Sequence, residues 1–296
     1  MQEEMVKIAE NKAHTELVIT PVQRKYFERD GFLILKNFIS PAICDMLINR
    51  ADQLIENFDP KEMKTIFSTK DQRHANHLYF LNSGDKIHFF FEEGAINETG
   101  ELITDKKFCI NKIGHALHDV DPVFDCFSRQ HKIAKLVEEL GIHQLQLLQS
   151  MYICKQPHFG GEVTCHQDST YLYGHHGVVT GLWFALEDAT LDNGCLWAIP
   201  GAHRLPLKSR MRRDKNDHIH TEVYDNSSWL IENMIPLEVP RGSLIVLHGL
   251  LPHMSKENIS SCSRHAYALH IMSKQHDYAD DNWLQRHDEM PFKGFL

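Results

Sequence analysis

Apolar residues recur at helical spacing early in the chain and at strand spacing later. From Pro21, the positions Val22, Tyr26 and Phe27 share one helical face until Asp30-Gly31 signals a turn. Phe32-Leu33-Ile34-Leu35 reads as a short apolar strand. Ser40-Pro41 then supplies an N-cap and a first-turn proline for a second helix, in which Ile43, Met46, Leu47, Ala51, Leu54 and Ile55 repeat at three and four. Residues 60–108 show no clear period. The stretch Leu117–Leu140 predicts one further helix, with Phe124, Phe127, Ile133, Leu136 and Val137 among its apolar positions. Leu145–Lys155, Val178–Leu186, Cys195–Ile199, Ser243–His248 and His265–Met272 are short runs rich in Val, Ile, Leu, Tyr and Trp. Gly160-Gly161, Asp192-Asn193-Gly194, Pro200-Gly201 and Pro240-Arg241-Gly242 punctuate them. Helices first and strands afterwards predict a mainly β fold with flanking helices, a sandwich or barrel. A dinucleotide-binding sheet is disfavoured, because no GxGxxG follows a strand. Without repeats or a linker, residues 1–296 read as a single domain whose polar first 20 residues are loosely held.

Composition narrows the partners. Lys plus Arg number 31 against 40 Asp plus Glu, a formal charge of −9, so the chain lacks the cation excess that backbone binding to nucleic acid wants. No apolar run has the length of a membrane span. Seven cysteines, an odd number without a CxxC pair, predict reduced thiols in the cytoplasm, and neither a secretory h-region nor a Ser-Lys-Leu peroxisomal address is seen. The count that stands out is 21 His. Imidazole is a common metal ligand and acid–base, which makes the question which few of them do chemistry.

His166-Gln167-Asp168 is the one H-x-D in the chain. On an extended segment, residues i and i+2 point to the same side, so imidazole and carboxylate converge. Two His and one carboxylate leave three coordination positions open, which suits non-heme Fe(II) holding a co-substrate and O₂. The tripeptide alone is weak, as the H-x-E triplets at His14, His220 and His287 show. A third ligand from a distant strand is either His248 or His253, both near the end of an apolar strand. Downstream, Arg264, Ala266, Ala268 and His270 share one strand face. An Arg beside small residues there suits a barrel interior, where its fork grips a carboxylate, although an ion pair at a sheet edge accounts for it equally well.

Taken together, these pieces resemble the phytanoyl-CoA dioxygenase family of Fe(II)/2-oxoglutarate oxygenases. The resemblance rests on His166-Gln-Asp168, Trp183, Asn193-Gly-Cys-Leu-Trp-Ala-Ile-Pro-Gly-Ala-His203, Gly242-Ser-Leu-Ile-Val-Leu-His-Gly, His253-x-Ser255-x-x-Asn258-x-Ser260 and Arg264-x-Ala-Tyr-x-x-His270. It spans roughly residues 21–275. It implies a double-stranded β-helix (jelly-roll) core over about residues 143–275, with Fe(II) on His166, Asp168 and His253. His253 is favoured over His248 because the family's distal ligand precedes the Arg by eleven positions. It further implies that the far carboxylate of 2-oxoglutarate meets Arg264 and Ser255, and that Trp183, Met151 and Lys112 line the co-substrate pocket. Core packing explains Trp183 and Met151 equally well when each is taken alone.

The expected activity is hydroxylation of a small organic substrate using O₂, with succinate and CO₂ as co-products. Arg204, Lys208, Arg210, Arg212, Arg213 and Lys215, read as a loop, form a candidate grip for the phosphates of a fatty acyl-CoA. The competing expectations are a non-catalytic metal- and 2-oxoglutarate-binding jelly-roll serving as sensor or scaffold, and a metal-activated hydrolase, which gives Arg264 no role.

Overall fold

The computed structural model describes residues 17–60, 78–97 and 101–295. Helix α1 (Pro21–Asp30) begins with a capping box in which Thr20 and Gln23 exchange hydrogen bonds, and ends at Gly31 in the left-handed conformation, φ +81°. Strand β1 (Phe32–Leu35) follows, then α2 (Pro41–Asn57), whose Ser40 side chain accepts from the Ile43 amide. Both helices and the strand between them lie where the sequence pattern puts them. Residues 1–16 fall outside the described residues, but the segment after them is not loose. The amides of Val18 and Ile19 donate to the Glu139 carboxylate at 2.9 and 2.8 Å.

Next come α3 (Leu78–Leu81), β2 (Ile87–Phe91), α4 (Lys106–Cys109) and β3 (Ile110–His115). The single helix expected over Leu117–Leu140 is three: α5 (Leu117–Val120), α6 (Pro122–Ser128) and α7 (His131–Glu139). Asp121 breaks the run. Its carboxylate caps the Val123 and Phe124 amides, and Pro122 has no amide to continue a helix, so α6 starts afresh. The strands β4 (Leu145–Lys155), β5 (Val163–His166), β6 (Thr180–Ala185), β7 (Leu196–Ala198), β8 (Ser209–Arg213), β9 (Ile219–Val223), β10 (Ile235–Leu237), β11 (Leu244–His248), β12 (His253–Ser255) and β13 (Arg264–Ser273) complete the order.

The strands form a seven-stranded sheet, β1-β11-β6-β13-β4-β3-β2, and a four-stranded sheet, β10-β7-β12-β5, with β8 and β9 as a separate ribbon. All of these neighbouring strands pair antiparallel. This is the jelly-roll core. Alternation on the large sheet explains both of its faces. Leu182, Phe184, Leu244, Val246, Tyr267 and Leu269 point outward, into one apolar cluster with Leu47, Ala51 and Ile55 of α2 and Phe124, Phe127, Ile133 and Leu136 of α6 and α7. The intervening residues Trp183, Ala185, Ile245, Leu247, Ala266 and Ala268 point inward and pack against Leu196, Ala198 and Leu237 of the small sheet. Strand β13 is covered on both sides, so all ten of its residues are buried. Among the described residues, no helix is long and apolar enough to cross a membrane.

Candidate metal centre

Strand β5 ends on His166, and Asp168 opens a short 3-10 turn, Asp168–Thr170. The H-x-D motif therefore converges at a strand end, not within a continuous strand as the spacing suggested. Gln167 points away and fixes the turn, donating to the Leu250 carbonyl at 2.9 Å and accepting from the Lys208 amide at 3.0 Å. In the small sheet, His253 stands directly opposite His166 in the β12–β5 ladder. One ligand atom each from His166, Asp168 and His253 lies within 4.8 Å of the others. Asp168 Oδ1 is 3.7 Å from Nε2 of His166 and 3.7 Å from Nε2 of His253. Cis ligands about 2.1 Å from a common ion are about 3 Å apart, so a small side-chain rotation closes this set on a metal.

Both imidazoles are oriented for it. His166 Nδ1 donates to the Thr164 carbonyl at 2.8 Å and His253 Nδ1 to the Leu251 carbonyl at 3.0 Å, which leaves each Nε2 facing Asp168. Burial pushes His253 down to about 4, an unprotonated ring at neutral pH. Burial alone would raise the Asp168 carboxyl, but the His253, His270 and His166 rings hold it well below the usual carboxylate range. Two imidazoles and one carboxylate are the donor set of a facial triad, and they fit Fe(II).

From this cluster a cavity of about 210 Å³ runs between the sheets. Its floor is a set of rungs across β6, β13 and β4. Gly181, His270 and Gln149 form one rung, Trp183, Ala268 and Met151 the next, and Ala185, Ala266 and Ile153 a third. Arg264 opposite Lys155 closes that end, and Lys112 on β3 pairs with Ile153.

Arg264 is 1% exposed, and its guanidinium lies over the Trp183 ring at 5.2 Å. Burial lowers it to about 10. Its Nε donates to the Gly194 carbonyl at 3.2 Å, while Nη1 is buried without a hydrogen-bond partner, as is Ser255 Oγ. An unpaired buried guanidinium nitrogen is costly, and a carboxylate from a bound dicarboxylate would satisfy it together with Ser255. Lys155, the neighbouring cation, is committed to the carbonyls of Gly161 and Lys256 at 2.6 and 2.8 Å. The donors at this end therefore fit 2-oxoglutarate, and Trp183, Met151 and Lys112 line the same cavity.

The other histidines separate from the site. Strand alternation turns His248 outward, against the rings of Phe27 and His203 at 6.4 and 5.0 Å, and away from His253. His175 and His176 are exposed, as is His218, which pairs with Asp214. The basic stretch expected as a loop is in part strand β8, and four of its six cations are paired with acids. Arg210 and Arg212 pair with Asp281, Arg213 with Asp217 and Lys208 with Asp225. Sequence reading gave no role to Phe80 and Trp283, whose stacked rings, 4.4 Å apart, close the cavity beyond the metal ligands. No local pattern marks them, because they meet only in the folded chain.

The chain matches the phytanoyl-CoA dioxygenase family over residues 27–266. The chain belongs to that family. It is 42% identical over 283 residues to phytanoyl-CoA dioxygenase domain-containing protein 1 of Bos taurus, covering 93% of this chain and 97% of that protein. It is 44% identical over 269 residues to the phytanoyl-CoA dioxygenase of Arabidopsis thaliana, covering 90% and 94%. Among solved structures it is similar to EctD from S. alaskensis with 2-oxoglutarate and 5-hydroxyectoine, at TM-score 0.63 and 17% identity, covering 92% and 86%. It is also similar to the non-heme α-ketoglutarate-dependent carbocyclase SnoK, at TM-score 0.61 and 17% identity, covering 86% and 84%, and both likenesses carry the fold. As a member of the phytanoyl-CoA dioxygenase family the protein is an oxidoreductase, a 2-oxoglutarate-dependent non-heme iron oxygenase.

Proposed function

We propose that the protein hydroxylates a C–H bond of a small organic substrate, with His166, Asp168 and His253 holding Fe(II) and Arg264 and Ser255 holding the far carboxylate of 2-oxoglutarate. The observation that carries this is the pairing, in one cavity, of a two-imidazole and one-carboxylate triad with a buried arginine whose Nη1 has no partner. The chemistry supplied by bound iron and 2-oxoglutarate is oxidative decarboxylation to succinate and CO₂, coupled to hydroxylation. The chain's own residues orient and exclude water. Carbonyl-anchored rings present two Nε2 atoms, Trp183, Ala268 and Met151 give the co-substrate an apolar floor, and Lys112 stands beside it. Beyond the triad, Phe80, Leu172, Met211 and Trp283 give the substrate an apolar end chamber. The finer reading is that the substrate is a fatty acyl-CoA with part of its acyl chain in that chamber. Since four cations of the basic stretch are already paired with acids, the support for it comes mainly from the family and the apolar chamber.

Anaerobic addition of Fe(II) and then 2-oxoglutarate to metal-free protein should produce the visible charge-transfer band of a chelated keto acid. Asp168→Ala should abolish both the band and succinate release. Near-normal succinate production by that variant would refute the ligand set. Succinate release across a panel of acyl-CoAs and small metabolites then tests the substrate, and stimulation by a compact metabolite with none by any thioester would sink the acyl-CoA reading.

A further inference from the structure

Asp168 has two oxygens with different surroundings. Oδ1 faces the two imidazole Nε2 atoms, each at 3.7 Å. Oδ2 is buried without a formed hydrogen bond, and His270 Nε2 stands 3.4 Å from it. His270 reaches this place because it follows Ala266 and Ala268 on the inward face of β13, opposite Gly181 of β6. On the other side of the carboxylate, Gly181 leaves the room. A Cβ there would lie 3.0 Å from Asp168 Oδ2 and 3.7 Å from His270 Nε2.

We propose that His270 is a positioning residue that holds Asp168 Oδ2 off the metal, so that Asp168 ligates through Oδ1 alone. This rests on the metal site proposed above. The need is one of coordination number. A six-coordinate ion with two imidazoles and a monodentate carboxylate has three places left, two for the chelating keto acid and one for O₂. A bidentate carboxylate would fill one of them. The surroundings suit the role: with its proton on Nε2 the ring would face the carboxylate with a donor, and Nδ1, buried without a partner, would be a bare lone pair and not an orphaned donor. The 3.4 Å separation is long for a hydrogen bond, as such contacts commonly are before a site is loaded.

The test uses cobalt(II), whose visible spectrum reports coordination, in the full-length chain, followed by titration with 2-oxoglutarate without oxygen. His270→Leu should alter the cobalt spectrum and raise the Kd for 2-oxoglutarate roughly 10- to 100-fold, the range for loss of an outer-shell partner. His270→Gln, which retains an N–H donor, should recover most of that loss. Gly181→Ala should change the spectrum in the same direction by crowding Oδ2, and it carries the test if His270→Leu fails to fold. A wild-type spectrum and wild-type Kd in folded His270→Leu or Gly181→Ala would overturn the proposal. So would a folded His270→Gln as impaired as His270→Leu. Failure of the wild-type protein to bind cobalt would strike instead at the metal site itself.

Discussion

Replacing Arg264 with Met separates binding from stability, because the two should respond differently. In the folded protein the guanidinium has one hydrogen bond, to the Gly194 carbonyl, and one ring contact, with Trp183. A hydrogen bond from a charged group contributes about 1.5–3 kcal/mol and a desolvated cation–π contact about 2. Against them stands the penalty of burying a cation with no carboxylate beside it, several kcal/mol per ion. These nearly cancel, and Met fills a similar volume, so unfolding stability should change by no more than about 1 kcal/mol. The co-substrate has no such compensation. Losing a bidentate grip on a carboxylate removes about 3–4 kcal/mol, a rise in Kd of roughly 100- to 1000-fold. Urea unfolding measures the first quantity, and anaerobic titration of the Fe(II) protein with 2-oxoglutarate measures the second. A variant several kcal/mol less stable with wild-type affinity would show Arg264 to be structural, and the carboxylate assignment would fall.

Two further outcomes follow from buried charges elsewhere. The Asp119 side chain is fully buried between Arg129 Nη2 at 2.6 Å, Arg286 Nη2 at 3.0 Å and His118 Nε2 at 3.1 Å, so Asp119→Asn should cost about 3–5 kcal/mol in urea unfolding. Burial opposes ionisation there, yet His118, Arg129 and Arg286 hold the carboxyl well below its usual range. Its contribution is therefore complete above the unfolded value of about 4 and is lost progressively as pH falls from there through the depressed folded value. A gap between wild type and variant that closes above pH ~5 would contradict this sign. Burial also brings the Lys112 ammonium down to about 7, so the unliganded protein loses that charge as pH rises through neutrality. Affinity for 2-oxoglutarate should then fall between about pH 6 and 8 in the wild type and not in Lys112→Met, and parallel calorimetric titrations with equal slopes would remove Lys112 from the co-substrate site.

Which features could be read in advance depended on whether their cause was local. The cap at Ser40, the Arg264-Ala266-Ala268-His270 face and the pair His166 and Asp168 follow from neighbours within a few residues. The choice between His248 and His253 does not. Both end apolar runs, and the family resemblance pointed to His253 before the β12–β5 ladder placed it opposite His166. The break at Asp121-Pro122 was written in the sequence, but the apolar repeat on either side of it masked the new cap. The pairing within the basic stretch was not legible because one of its main counter-charges, Asp281, lies about 70 residues away. His270 sat on a correctly read face without a role, since its partner Asp168 comes from another strand end and Gly181 from a third segment.

The rungs under the cavity also act as a ruler. Arg264 and His270 lie on one strand, six residues apart, which at about 3.3 Å per residue is about 20 Å of rigid backbone buried on both faces. Moving the guanidinium along that strand while keeping it inside requires a two-residue jump of about 6.6 Å. Dicarboxylic keto acids one methylene shorter or longer than 2-oxoglutarate differ by roughly one carbon–carbon bond, about 1.5 Å. The graduations of the strand are too coarse for that difference. A switch of keto acid by relocating Arg264 is therefore closed to this scaffold, and any such switch must come from the length of the side chain at position 264 or from Ser255.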